Sequence, residues 1–236
     1  MRLLIVNPNT SAGVTNRIRS AAEACAAESD HFVTTCSAFG PELIVDTQDA
    51  ELAAQGVLET VRTYAEPVDG IILASFGDTG AREVRALRPS VPVVGIASAA
   101  FLSIRALETP FGIVTFGEGL VPGLRAKAEE LGVGSRLVGV VAATGQDFGD
   151  PGMVQERYFD QIAVLCRQME TQGARAIVLG GGPLAGMATR LVGAAAVPVI
   201  DGTQAAINIM RTMSDCGPRR SSLNSEDTET DLSSRR

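Results

Sequence analysis

Four short segments of this 236-residue chain carry residue types that suit small anions: NPNTS at 7–11, SFGDTG at 75–80, TFGEG at 115–119 and GGGPLAG at 180–186. Glycine, asparagine and threonine ahead of a helix let backbone N–H groups approach an anion, at the end where the helix dipole favours negative charge. The run Gly180-Gly181-Gly182 fits a nest for a carboxylate or a developing enolate oxygen, and it equally fits close helix–strand packing. Taken singly, each segment is explained by capping, because Asn9, Thr10, Asp78 and Thr79 are favoured cap types. Four such segments at equivalent places point instead to one shared cleft. GGGPLAG lacks the Lys-Ser/Thr of a phosphate-binding loop and is not a complete G-x-G-x-x-G, which argues against a nucleotide.

These segments follow short apolar runs. Strands are expected at 3–6, 32–36, 70–74, 91–95, 112–115, 136–141, 176–180 and 197–201. Helical spacing appears at 10–26, 49–64, 80–87, 120–131, 154–172 and 202–213. The strands are nearly continuous apolar runs, as strands buried on both faces are, and their alternation with helices predicts a parallel α/β sheet. Ligands of such sheets bind beyond the carboxyl ends of the strands, where the four segments lie. The chain also repeats itself. IILASFGDTG pairs residue 71 with 177 of IVLGGGPLAG, and VPVV pairs residue 91 with 197 of VPVI, an offset of 106 in each case. LIV at 4–6 resembles GIV at 112–114, at an offset of 108. This divides the chain into a first half of 1–97 completed by 201–215, a second half of 98–200, and a tail at 216–236. Beyond Cys216 the only strongly apolar residues are Leu223 and Leu232, so the tail is expected to be disordered.

Composition sets further bounds. The 27 acidic and 20 basic residues give a net charge of −7, which opposes nucleic-acid binding. No apolar stretch approaches the ~20 residues of a membrane span, and the N-terminus reads as a first strand rather than a signal peptide. Cys25, Cys36, Cys166 and Cys216 are scattered without metal-ligand spacing, and His31 is the only histidine, so no metal site is expected. His31 reads as a solvated residue just before a strand.

LLIVNPNTS, GIILASFGDTG, PVVGIASAA, FGIVTF, AIVLGGG and VPVIDG resemble the aspartate/glutamate/hydantoin racemase superfamily, in particular its hydantoin and allantoin racemase branch, over about residues 2–213. The resemblance implies an α/β fold of two pseudo-twofold-related, flavodoxin-like halves, each with a mainly parallel sheet of about four strands flanked by helices, with the site between them. It implies a cytoplasmic, homo-oligomeric isomerase that acts on a small molecule without metal or organic cofactor. In that family two cysteines face each other across the substrate's α-carbon: one thiolate removes a proton and the other thiol returns one to the opposite face. Their positions fall on Ser75 and Gly181, which the internal repeat also pairs. Neither thiol is present, and no His or Lys lies near Ser75 in sequence, so two-thiol racemisation is excluded at these positions. Asp78 is taken as a third candidate catalytic residue. Asn7, Asn9, Thr10, Phe76, Gly77, Thr79, Thr115, Phe116, Gly180, Gly182 and Pro183 are the expected substrate contacts. Asp46 and Glu118 remain as other acids, whereas Asp49 reads as a helix cap, Cys36 as a strand end and Cys166 as core. A lyase or decarboxylase of the same fold and a silent small-anion binder stand as alternatives.

Overall fold

The structure, a computed structural model, describes residues 1–145 and 149–216. The expected disorder of the tail falls almost entirely on 217–236, outside the described residues. Strands β1 (Arg2–Asn7), β2 (His31–Cys36), β3 (Gly70–Leu73) and β4 (Val93–Gly95) form one parallel sheet in the order β2-β1-β3-β4. Strands β5 (Phe111–Thr115), β6 (Leu137–Ala142), β7 (Ala176–Leu179) and β8 (Val199–Asp201) form a second in the order β6-β5-β7-β8. The register carries the repeat into space. Leu4 lies opposite Ile71 and Ile71 opposite Val93; in the second sheet Gly112 lies opposite Ile177 and Ile177 opposite Val199. The two sequence offsets are therefore one alignment.

Each strand is apolar on both sides because each sheet is covered twice. Leu4, Val6, Ile71 and Leu73 point outward onto α2 (Thr47–Thr63) and α3 (Ala81–Leu87) through Val57, Val61 and Val84. In the second sheet Val114, Ile177 and Leu179 point outward, onto Ile162, Cys166 and Met169 of α6 (Val154–Thr171). The alternate residues Leu3, Ile5, Ile72, Phe111, Ile113 and Val178 point inward to a single core shared by both sheets. That core is filled by α1 (Ala12–Glu23), α4 (Ile96–Leu107), α5 (Val121–Glu130) and α8 (Gly202–Cys216). Phe101 of α4 stands edge-on to Phe76 and to Phe111, with ring centroids 6.2 and 6.0 Å away, and so links the two halves.

Helix α4 is not among the helices that spacing predicts, and the expected boundary at 97/98 falls in its first turn. Its sequence, IASAAFLSIRAL, follows β4 with no loop and continues the apolar run, so no polar break announces it. It packs against α8. A Cβ on Gly202 would lie 2.7 Å from the Ile96 carbonyl oxygen, so only glycine lets the two helix starts approach this closely.

Helix α8 returns to the first half. Arg211 Nη2 donates to Asp30 at 2.7 Å and to the Cys25 carbonyl at 2.9 Å, and Met210 sits over Gly70. Burial alone would raise the Asp30 carboxyl. The Ala27 N–H, Arg211 and the N-terminal ammonium outweigh it and hold the group at about 2. A depressed carboxyl stabilises the fold above its unfolded pKa and loses that contribution as pH falls through its folded value. Asp30→Asn should therefore lower the melting temperature at pH 7 by a few degrees, for a loss on the order of 1–2 kcal/mol. The gap from the unmodified protein should close between about pH 4 and pH 2 in a calorimetric pH series; a constant gap would contradict the assignment.

Candidate active site

The loops after β3 and β7 are built alike. The Asp78 N–H donates to the Ser75 carbonyl at 3.1 Å, and the Leu184 N–H donates to the Gly181 carbonyl at the same distance, 106 residues on. Gly80 and Gly186, equivalent again, open α3 and α7 (Met187–Arg190) with φ of 79° and 82°, a left-handed conformation that glycine adopts without cost. The two loops touch. A Cβ on Gly182 would lie 2.9 Å from the Ala74 carbonyl oxygen, with Val14 and Ile18 of α1 just beyond.

Both loops carry unused donors. Among the described residues, the N–H groups of Ser75, Phe76 and Gly77 have no hydrogen-bond acceptor, and neither have those of Gly181 and Gly182. Most buried backbone N–H groups in folded proteins are paired, so the unpaired donors on these two touching loops mark the candidate site. Gly180 is not part of it, because its N–H donates to the Val114 carbonyl at 2.9 Å. The nest expected at 180–182 is thus reduced to Gly181 and Gly182.

Several expected substrate contacts are instead spent on the scaffold. Asn7 Nδ2 donates to Asn9 Oδ1 at 2.7 Å and to Thr15 Oγ1 at 3.0 Å, and Asn9 Oδ1 also accepts the Ser11 N–H. These bonds brace the turn into α1, which Ser11 caps through the Val14 N–H. The Thr10 N–H donates to the Pro41 carbonyl. Thr115, fully buried, donates to the Gly180 carbonyl at 2.6 Å and fixes the loop after β7 to β5. Ser75 Oγ donates to Thr79 Oγ1 at 2.9 Å and accepts the Thr79 N–H at 3.1 Å.

Asp78 is buried and occupied. Its carboxylate accepts from the Ala97 N–H (3.1 Å), the Ser98 N–H (3.2 Å) and Ser98 Oγ (2.5 Å) at the start of α4. A Cβ on Gly95 would fall 1.9 Å from its Oδ1, so glycine at 95 makes the room. The second half solves the same problem with the carboxylate moved. Asp201, at the position equivalent to Gly95, accepts from the N–H groups of Gly186 (2.5 Å) and Thr203 (2.8 Å), while Leu184 stands where Asp78 would be. Burial raises the Asp201 carboxyl although these N–H groups pull the other way.

A residue that sequence reasoning passed over lies beside Asp78. Lys127 Nζ, from α5 of the second half, is 3.6 Å from Asp78 Oδ2 and donates to Glu130 at 3.1 Å. The available signal was its rarity: it is the only lysine among 20 basic residues. Asp78 keeps three other donors without it. Lys127→Met should therefore lower the melting temperature by only about 2–4 °C, the equivalent of about 1 kcal/mol. A fall of 10 °C or more in a thermal scan would show that the ion pair carries the joint between the halves.

The second face of the site is blocked differently. Gly181 has φ of 141° and ψ of 143°, and a Cβ on it would lie 2.5 Å from Phe116 Cε1. The Phe116 ring thus occupies the space that a side chain at 181 would need. The other candidates sit elsewhere. Asp46 caps α2 by accepting the Asp49 N–H at 2.8 Å, and Asp49 accepts the Val45 N–H at 3.0 Å. Glu118 is exposed, His31 is exposed at the start of β2, and burial pushes the Cys166 thiol up to about 12. Among the described residues no three His, Cys, Asp or Glu side chains are grouped to hold a metal, and no helix is long and apolar enough to cross a membrane.

Two parallel four-stranded sheets thus carry the internal repeat, with the loops after β3 and β7 at equivalent places in them. The chain belongs to the Asp/Glu/hydantoin racemase family, whose family model matches residues 3–210. It is 31% identical to a hydantoin racemase of Pseudomonas sp. (strain NS671), over 94% of this chain and 90% of that protein. It shares 33% identity and a TM-score of 0.79 with the allantoin racemase from Klebsiella pneumoniae, over 90% of this chain and 87% of that one. The allantoin racemase from Pseudomonas fluorescens gives a TM-score of 0.80 at 30% identity, over 90% of each chain.

Proposed function

We propose that this protein acts through an enolate at the α-carbon of a small carboxylate-, amide- or hydantoin-type substrate, held between the loops after β3 and β7, with the α-proton passing to and from solvent water on one face only. The observation that carries this reading is the pair of unpaired N–H sets at Ser75–Gly77 and at Gly181–Gly182. Donors fixed where an enolate oxygen develops stabilise charge without reorganisation, and one such donor commonly accounts for a factor of about 10²–10³ in rate. On one face stands Ser75, whose hydroxyl is bonded to Thr79 and whose backbone N–H has no acceptor among the described residues. Opposite it Gly181 offers no side chain, and the Phe116 ring fills the space. Inversion requires a proton carrier on each face, so the reaction is not a two-thiol racemisation.

The state of Asp78 favours a second reading, a lyase. With its carboxylate occupied by the α4 N–H groups and Ser98, no free base stands on the loop after β3. Decarboxylation of a malonate-type substrate needs none. The C–C bond breaks, CO₂ leaves, the electron pair enters the enolate under the N–H groups, and solvent water then gives a proton to the α-carbon. Neither reading calls on a metal or an organic cofactor. A thermal-shift screen with hydantoins, allantoin, aspartate, glutamate and malonates, followed by proton NMR in heavy water, separates them. Turnover of malonates alone supports the lyase. A ligand shift with no turnover at all would contradict both and leave an anion binder.

A further inference from the structure

We propose that Gln155 is the positioning residue that aims the N–H groups of Gly181 and Gly182 at the substrate's negative oxygen, an inference that rests on the reading just given. The two loops differ in what holds them. The loop after β3 carries its own polar side chains: Ser75 and Thr79 bond each other, and Asp78 bonds the start of α4. The loop after β7 runs Gly181-Gly182-Pro183-Leu184-Ala185 and has no polar side chain, so its geometry must be imposed from outside.

Gln155, in the first turn of α6, does this. It is 2% exposed. Its Nε2 donates to the Pro183 carbonyl at 3.0 Å and to the Ala185 carbonyl at 2.8 Å, while its Oε1 accepts from Arg190 Nη1 at 3.1 Å. Two donors and an acceptor in one plane are what a carboxamide provides and a carboxylate does not. Without them two buried carbonyls would be unpaired, and the loop would turn to satisfy them, carrying the neighbouring N–H groups with it. Arg190 is itself fixed: its guanidinium lies 4.7 Å over the Phe159 ring and 4.0 Å from Glu156. Glu156 pairs with Arg17 of α1, the helix whose Val14 and Ile18 lie against Gly182. The donor loop is thus gripped from α6 on one side and from α1 on the other.

The test uses the full chain labelled with ¹⁵N-glycine, malonate as probe, and the variants Gln155→Glu and Gln155→Met. In the unmodified protein malonate should shift the Gly181 and Gly182 amide signals. At pH 8 the glutamate variant has no hydrogen to offer either carbonyl. The Gly181, Gly182 and Gly186 signals should then move without ligand, while Gly80 and Gly95 stay in place. Malonate affinity should weaken about tenfold, the loss expected for one well-formed hydrogen bond. The methionine variant, of similar volume, should do the same. Unchanged glycine signals and unchanged malonate affinity in both folded variants would overturn the proposal. If malonate leaves Gly181 and Gly182 untouched in the unmodified protein while the variants still shift them, the enolate reading falls and the control of the loop by Gln155 stands.

Discussion

Gly181→Cys, alone or with Ser75→Cys, is expected to destabilise the protein by about 2–5 kcal/mol and to create no racemase. Two costs add. The backbone at 181, with φ of 141° and ψ of 143°, lies in a region that is essentially glycine-only, where a side chain costs on the order of 1–3 kcal/mol. The new Cβ would also meet Phe116 Cε1 at 2.5 Å, and overpacking of a buried ring costs about 1–3 kcal/mol more. For a chain of this length the melting temperature should fall by roughly 5–15 °C. The loop and the ring beside it thus leave no room for a side chain at 181. Adding Phe116→Ala should recover part of the loss by opening the space, though the backbone strain remains. If Gly181→Cys melts within a degree or two of the unmodified protein, the account of the second face is wrong.

Asp78→Ala is the other large loss, expected at about 3–5 kcal/mol. It would leave the Ala97 and Ser98 N–H groups and the Lys127 ammonium without their common acceptor, next to a buried core. Asp78→Asn should cost less, because the amide oxygen still accepts one or two of these bonds while its NH₂ faces the Ser98 donors. The order wild type, Asn, Ala in melting temperature, read by circular dichroism, is the expected result. Equal losses for Asn and Ala would mean that the charge, rather than acceptor geometry, holds α4 to the loop. Substrate turnover should fall in both variants, since this carboxylate supplies the hydrogen bonds that tie the loop bearing the Ser75–Gly77 donors to α4, beside the Phe76–Phe101 ring contact.

The strands were legible in sequence because parallel strands covered on both faces must be apolar throughout, and the repeat of IILASFGDTG in IVLGGGPLAG pairs the loops after β3 and β7, which are built alike. Helix α4 was not legible because it follows β4 without a break in hydropathy. The loops could be located, but which of their polar groups were free could not. Asn7 and Thr115 look like ligand contacts by type. Their bonds to Asn9 and to the Gly180 carbonyl follow from tertiary geometry that spacing does not encode. The same holds for the residues that set the site from a distance. Lys127 reaches Asp78 across 49 positions, Gln155 reaches Pro183 across 28, and the Phe116 ring lies against Gly181 only because β5 and β7 are neighbours in the second sheet.

The central claim is that protons reach the substrate's α-carbon from one face only. The most direct measurement follows an enantiopure 5-substituted hydantoin in heavy water at neutral pH, with deuterium content read by NMR and enantiomeric excess by chiral chromatography, against a protein-free blank. The account predicts that optical purity persists beyond the blank's slow loss, and that whatever deuterium enters the α-carbon enters with retention. Loss of enantiomeric excess in step with deuterium uptake would place a working proton carrier on the Gly181 side and contradict it.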